Sequence, residues 1–402
     1  MKKPSLMKKP SLLVQVVLAI ALGLAMGSFA PAGAVRAANT FNCVFGQFIR
    51  FMVPLIIVGL VTPAIAETGR SAGRMLLATV AIAYCSTLFA GFLGYFTSVA
   101  AYPGLISAGT AAAEAASPEF PPYMSVNIPP PLDVMSSLVL SFIVGLGTVV
   151  VDARAVRKAL VELREIVTKA ISAALVPLLP LFIFGIFADM AATGKAKSVL
   201  LAFAAIIAIF SALTLVVIFL QVLLAGAVAR KNPFKAMWTM LPAYMTALGT
   251  SSSAATIPVT RAQTLANGVR REVADFVIPL CATVHLAGST VKLVSCAVAL
   301  TLMSGKPVEF GTFAAFVFTA GVVMVAAPGV PGGAVMSAIG ILESMLGFDQ
   351  AQIGLMISIY LATDSVGTAC NITGDGAIAL VIDRMFPASP STPGSPASPG
   401  TC

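Results

Sequence analysis

Long apolar runs, separated by short charged or Pro/Gly-containing breaks, dominate the first 230 residues. They lie near 12–34, 41–66, 76–100, 134–151, 166–191 and 198–228. A helix needs about 20 apolar residues to cross a bilayer, so each run predicts a spanning helix. Beyond Lys235 the apolar segments are interrupted by small and polar residues: TSSSAATIP at 250–258, PGVPGG at 328–333 and NITG at 371–374. A plain spanning helix has no use for such interruptions. Non-helical backbone at membrane depth survives only where it is buried in protein or lines a cavity, and broken helices mark substrate and ion sites in secondary transporters. Loose packing of small residues between helices is the bland alternative. Two such segments, each flanked by half-length apolar arms, favour hairpins over 233–263, with Ser251, Ser252 and Ser253 at the tip, and over 310–346, with 328–333 at the tip.

Composition sharpens this picture. Hydrophobic residues make up 58% and charged residues 10% of 402 residues, and mean hydropathy is +0.98. A soluble domain carries roughly a quarter charged residues, so a soluble enzyme, a disordered chain and a disulfide scaffold are disfavoured. The length fits roughly eight spans. Net charge is +8, but Lys and Arg sit in short clusters between apolar runs, as positive-inside loop charges do, so no nucleic-acid partner is expected. The clusters Arg70/Arg74, Arg154/Arg157/Lys158 and Arg230/Lys231/Lys235 fall on alternate connections, while 101–133 has no Lys or Arg and holds Glu114, Glu119 and Asp133. Both termini are therefore expected in the cytoplasm and 101–133 outside, with Arg36, Lys195 and Lys197 as minor exceptions. Residues 1–6 recur at 7–12, so Met7 is an alternative start. A signal peptide ending near Ala34 competes with a first membrane helix, but the run exceeds a usual signal core. Residues 387–402 are Pro/Ser/Gly-rich and predict a disordered tail. Of six cysteines, Cys85, Cys281, Cys296 and Cys370 lie in apolar stretches, where core packing is expected. A single histidine excludes a multi-His metal site.

The candidate chemistry lies in two late segments. In 351–385, Asp364, Thr368, Asn371 and Asp375 recur at i, i+4, i+7 and i+11, one face of a helix. An aspartate inside a membrane segment is costly and by default a functional candidate; structural pairing with a distant Lys or Arg is the alternative. In 277–303, His285, Ser289 and Lys292 recur at i, i+4 and i+7. Lys292 is too deep for easy snorkelling, which favours a paired or functional ammonium.

These motifs resemble the dicarboxylate/amino acid:cation symporter family, which includes the glutamate transporters. SSSAATIPVT at 251–260, VAAPGVPGG at 325–333, DSVGTACNITGD at 364–375 and IPPPLDVM at 128–135 carry the resemblance. It implies an all-α membrane protein of eight transmembrane helices with two opposed re-entrant helical hairpins, assembled as a homotrimer in the inner membrane and working as an elevator. The implied division is a basic segment 1–11, scaffold helices 12–75, a third helix and outer loop 76–133, scaffold helices 134–191, a transport core 192–386 and the tail 387–402. By the same resemblance Asp364 would hold a substrate ammonium, and Ser252, Ser253, Thr368 and Asn371 its carboxylate, with Ser289 near its side chain. Val330 to Gly333 would close as a gate. Asn371, Asp375 and Gly288 would serve one cation and Ser86 and Thr87 another. Three departures stand out. The family's Asn-Met-Asp-Gly reads His285-Leu286-Ala287-Gly288, so two cation ligands are gone. Gly367 stands where an arginine grips acidic side chains, which disfavours glutamate or aspartate unless Lys292 replaces that charge. Ser289 stands where a threonine is usual.

The expected function is symport of a small, neutral amino acid with Na⁺ and/or H⁺ and no cofactor. A C4-dicarboxylate carrier is the alternative, opposed by Asp364, which such a solute would leave without an ammonium. A membrane-embedded enzyme using Ser253 and His285 finds no support in the spacing, since a nucleophile needs a base within reach. Lys292 is expected near Asp364 or Asp375, with His285 as a candidate coupling residue beside it.

Overall fold

The structure, a computed structural model, describes residues 12–68, 74–105, 120–325, 327 and 331–387. The basic segment 1–11 and, save Pro387, the tail lie outside them, as do Arg70, Glu114, Glu119 and Val330. Fifteen α-helices and no strand occur among the described residues. Seven runs are long and apolar enough to span a bilayer: Leu12–Phe29, Ala32–Ala66, Arg74–Gly104, Arg154–Ala192, Ala196–Ala229, Arg271–Met303 and Asp364–Met385. The protein is an all-α membrane protein. The fourth expected span, α4 (Val134–Val150), has 17 residues and sits at the lower limit of spanning length.

Helices α1 (Leu12–Phe29), α2 (Ala32–Thr68), α4, α5 (Arg154–Ala170) and α6 (Val176–Ala192) pack mainly on one another. Helix α2 starts earlier than its apolar run because its polar residues find partners: Asn39 Nδ2 donates to Asp189 Oδ1 at 2.7 Å and to the Phe120 carbonyl at 2.9 Å. The charged stretch after Arg154, expected as a connection, is helical. It buries Leu160 and Val167, two turns apart, and keeps its charges outward. One π-helical turn, Ile171–Leu175, joins it to α6.

Helix α3 (Arg74–Ala101) leaves this group and packs along α11 (Ala287–Met303). The second group comprises α7 (Ala196–Ala229), α8 (Pro233–Thr250), α9 (Ser253–Ala266), α10 (Arg271–Val284), α11, α12 (Phe310–Val325), α13 (Gly333–Leu346), α14 (Gln350–Ala362) and α15 (Asp364–Met385). Its centre is the α10–α11 segment, 94% buried in its most apolar window against 17% for α1. Helices α8 and α9 pack together, as do α12 and α13. Local chemistry sets their limits. Asn232 caps α8 by accepting from the Lys235 N–H at 3.1 Å, with Pro233 in the first turn. Asp349 and Gln352 form a capping box at α14. Cys281, Cys296 and Cys370 are buried as expected, whereas Cys85 is exposed on α3.

Candidate functional site

Two late segments, each read from the sequence as one helix, are broken. Residues His285 (φ −107°, ψ 100°) and Leu286 (φ −122°, ψ 43°) interrupt α10–α11. Thr363 (φ −128°, ψ 15°) interrupts α14–α15. Each break strands backbone groups that a helix would have paired. Leu286 supplies no capping side chain to α11. Instead Asn371 on α15 accepts from the Gly288 and Ser289 N–H groups at 2.8 and 3.2 Å, and its own amide donates to Ser289 Oγ at 3.0 Å. The reciprocal contact runs from α11 to the other break. Lys292 Nζ donates to the Tyr360 and Thr363 carbonyls at 3.2 and 3.4 Å and to Asp364 Oδ1 at 3.4 Å. Each helix satisfies the other's broken end.

A third rung completes the crossing. His285 Nδ1 donates to Asp375 Oδ1 at 2.9 Å, with both side chains buried. The carboxylate accepts, so Nε2 is left to accept from Ser86 Oγ at 3.1 Å, and Gln221 Nε2 donates to that hydroxyl at 2.8 Å. Gly374 permits this approach: a Cβ there would stand 2.5 Å from both Gln221 Oε1 and His285 Cε1. Asp375 Oδ2 and Gln221 Oε1 are buried with no partner among the described residues. Buried acceptors left unpaired are costly, and both of these oxygens belong to residues that contact His285.

Among the described residues expected at the hairpin tips are Ser251, Ser252 and Ser253 at one and Gly332 and Gly333 at the other. Ser251 takes a left-handed conformation (φ 49°), ending α8. Ser252 then caps α9 by accepting from the Ala255 N–H at 3.3 Å, and Ser253, the first residue of α9, is buried. At the other tip Gly332 (φ 75°) donates its N–H to Asp364 Oδ2 at 2.8 Å. This positive φ favours glycine. Gly333 follows, buried, as the first residue of α13.

The sequence-predicted residues are thus placed unequally. Asp364, Thr368, Asn371 and Asp375 share α15, facing Lys292, Ser289 and His285. Thr368 Oγ1 donates to the Asp364 carbonyl at 2.9 Å. The helical phase expected from His285 to Lys292 does not exist, because the break lies between them; the three residues meet α15 at separate rungs instead. Gly367 lies beside Lys292, whose Nζ is 3.4 Å from the position of a Cβ at 367. Ser86 joins the His285 cluster, whereas the Thr87 hydroxyl donates to the Ala83 carbonyl of its own helix at 2.9 Å. Asp364 has the structural partner considered from sequence, Lys292, and Asp375 has a histidine rather than a Lys or Arg. Gln221 was not foreseen, whereas Gly332 lies within the expected gate 330–333. A lone glutamine inside the apolar α7 was the available signal for it.

Comparison with known proteins adds the following. The profile of the Sodium:dicarboxylate symporter family matches residues 12–385. Neutral amino acid transporter B(0) of Bos taurus is 31% identical over 161 residues, 39% of this chain and 30% of its own length. Excitatory amino acid transporter 1 of Homo sapiens is 31% identical over 164 residues, 40% of this chain and 30% of its own. Excitatory amino acid transporter 4 of Mus musculus is 32% identical over 159 residues, 39% of this chain and 28% of its own. The chain therefore spans under a third of the length of these relatives.

Proposed function

This chain belongs to the sodium:dicarboxylate symporter family, and from that membership we propose that it is a cation-coupled secondary transporter of a small, carboxylate-bearing solute. The observation that carries the reading is the crossing of two broken helices, α10–α11 and α14–α15, with polar rungs at 285–375, 289–371 and 292–364. Polar side chains buried inside a membrane protein are expensive and are retained for function. Discontinuous helices supply freed N–H groups for an anion and freed oxygens for a cation. Ser252, Ser253, Thr368 and Asn371 are the proposed carboxylate ligands, with the tip around Gly332 and Gly333 as the gate.

Sodium is the proposed coupling ion. The free oxygens of Asp375 and Gln221 are hard donors of the kind it takes, and the family's description names it. The His285 imidazole between Ser86 and Asp375 is the proposed site of any proton contribution. In this reading 192–386, together with α3, moves as an elevator against the helices of 12–75 and 134–191, in a homotrimer in the inner membrane with cytoplasmic termini.

Two substrate readings have specific support. The name of one relative, Neutral amino acid transporter B(0), and the glycine at 367 favour a small neutral amino acid. The Lys292 ammonium on Asp364 favours a dicarboxylate, because it removes the objection that Asp364 would be left uncompensated. The experiment is a thermal-shift panel of amino acids and dicarboxylates on purified protein, with and without Na⁺. At least one carboxylate stabilises the protein, and more strongly with Na⁺ present. A panel in which nothing stabilises refutes the assignment.

A further inference from the structure

Lys292 is wholly buried on α11, with no exposed side-chain surface. Its three N–H donors have three acceptors: the Tyr360 and Thr363 carbonyls and Asp364 Oδ1. The ring of Tyr360 adds a cation–π contact, its centroid 3.5 Å from Nζ. The other oxygen of Asp364 accepts from Gly332 at 2.8 Å. Both carboxylate oxygens are engaged by the chain, and the pair is formally neutral.

An ammonium brought by a solute would meet no uncompensated negative charge here. It would meet a second ammonium held in a low-dielectric interior, where like charges repel far more strongly than in water. An amine-free carboxylate meets no such conflict. Resting on the carboxylate-transport reading above, we propose that Lys292 is a specificity-determining residue. It supplies Asp364, from within the protein, with the ammonium that an amino acid would otherwise bring, and the site selects carboxylates lacking an α-ammonium. Lys292 also stands beside Gly367, where a Cβ would lie 3.4 Å from its Nζ.

The test uses pairs differing only in the ammonium: succinate against aspartate, and propionate against alanine. Each is titrated into the purified full-length protein in saturating Na⁺ by calorimetry, and each competes in proteoliposomes against whichever binds best. The wild type favours the amine-free member of at least one pair by tenfold or more. Lys292→Met frees Asp364 and shifts that ratio at least tenfold toward the amine. The double variant Lys292→Met with Asp364→Asn carries neither charge and loses the shift. A wild type that favours aspartate and alanine overturns the proposal while leaving carboxylate transport standing. Binding and uptake of none of the four removes the transport reading itself, and this one with it. The wild-type ratios need no variant, so they decide the matter even if Lys292→Met fails to fold.

Discussion

Substituting Gly288 by alanine tests whether the α11–α15 crossing is the working centre. A Cβ at 288 would stand 2.5 Å from the Gly367 carbonyl oxygen and 2.9 Å from Cys370 Sγ. Carbon–oxygen contacts settle at about 3.3–3.6 Å, so the two helices must part by roughly 1 Å. Asn371 Oδ1 holds the Gly288 and Ser289 N–H groups at 2.8 and 3.2 Å, and such a shift stretches both past about 3.5 Å, where hydrogen bonding fails. Overpacking costs about 1–3 kcal/mol, and orphaning a buried acceptor about 1–3 kcal/mol more. Even about 2 kcal/mol borne by the solute-bound state lowers affinity roughly 30-fold. The control is Gly249→Ala in α8, where a Cβ meets nothing within 4 Å; relief of helical glycine is worth about 0.5–1 kcal/mol in its favour. Melting followed with a thiol dye, which reads the buried Cys281, Cys296 and Cys370, reports stability, and calorimetry reports affinity. Gly288→Ala with the melting temperature and affinity of wild type would refute the reasoning.

Further outcomes follow from single contacts. Asp364→Asn strands the Lys292 ammonium, a loss of about 3–5 kcal/mol of stability for a broken buried pair, so the melting temperature falls well below that of wild type; a wild-type melting temperature in the purified variant contradicts this. Gln221→Leu removes the amide that holds Ser86 and the free Oε1, so the Na⁺ concentration for half-maximal uptake rises, about tenfold for each 1.4 kcal/mol lost; an unchanged Na⁺ dependence contradicts it. In a background lacking Cys43, Cys85 and Cys402, Met124→Cys is labelled by an impermeant thiol reagent in intact cells and Arg154→Cys only after permeabilisation; labelling of the second from outside inverts the orientation.

Much of this was legible in the chain because membrane spans are written in long apolar runs and hairpin tips in their interruptions. The arms 233–250 and 253–266 surround the serine tip where the pattern put it. The aspartates stood out because charge inside an apolar segment has no packing excuse. The helix breaks at His285–Leu286 and Thr363 were not legible. No proline or glycine marks them from within; they exist because Asn371 and Lys292, distant in sequence, satisfy the stranded backbone groups. The pairing of His285 with Asp375, 90 residues apart, is likewise a tertiary fact, whereas Lys292 was expected near Asp364 or Asp375 and meets the first. The helix from Arg154 was missed for the opposite reason: its charges masked an amphipathic period.

Uptake into proteoliposomes is the most direct test of transport through this crossing. Purified protein is reconstituted, an inward Na⁺ gradient is imposed, and radiolabelled succinate and alanine are supplied separately. At least one label accumulates above its external concentration, drains when the gradient is collapsed, and fails to accumulate with Gly288→Ala. Accumulation of neither label above equilibrium, or accumulation indifferent to both the Na⁺ gradient and Gly288→Ala, would contradict it.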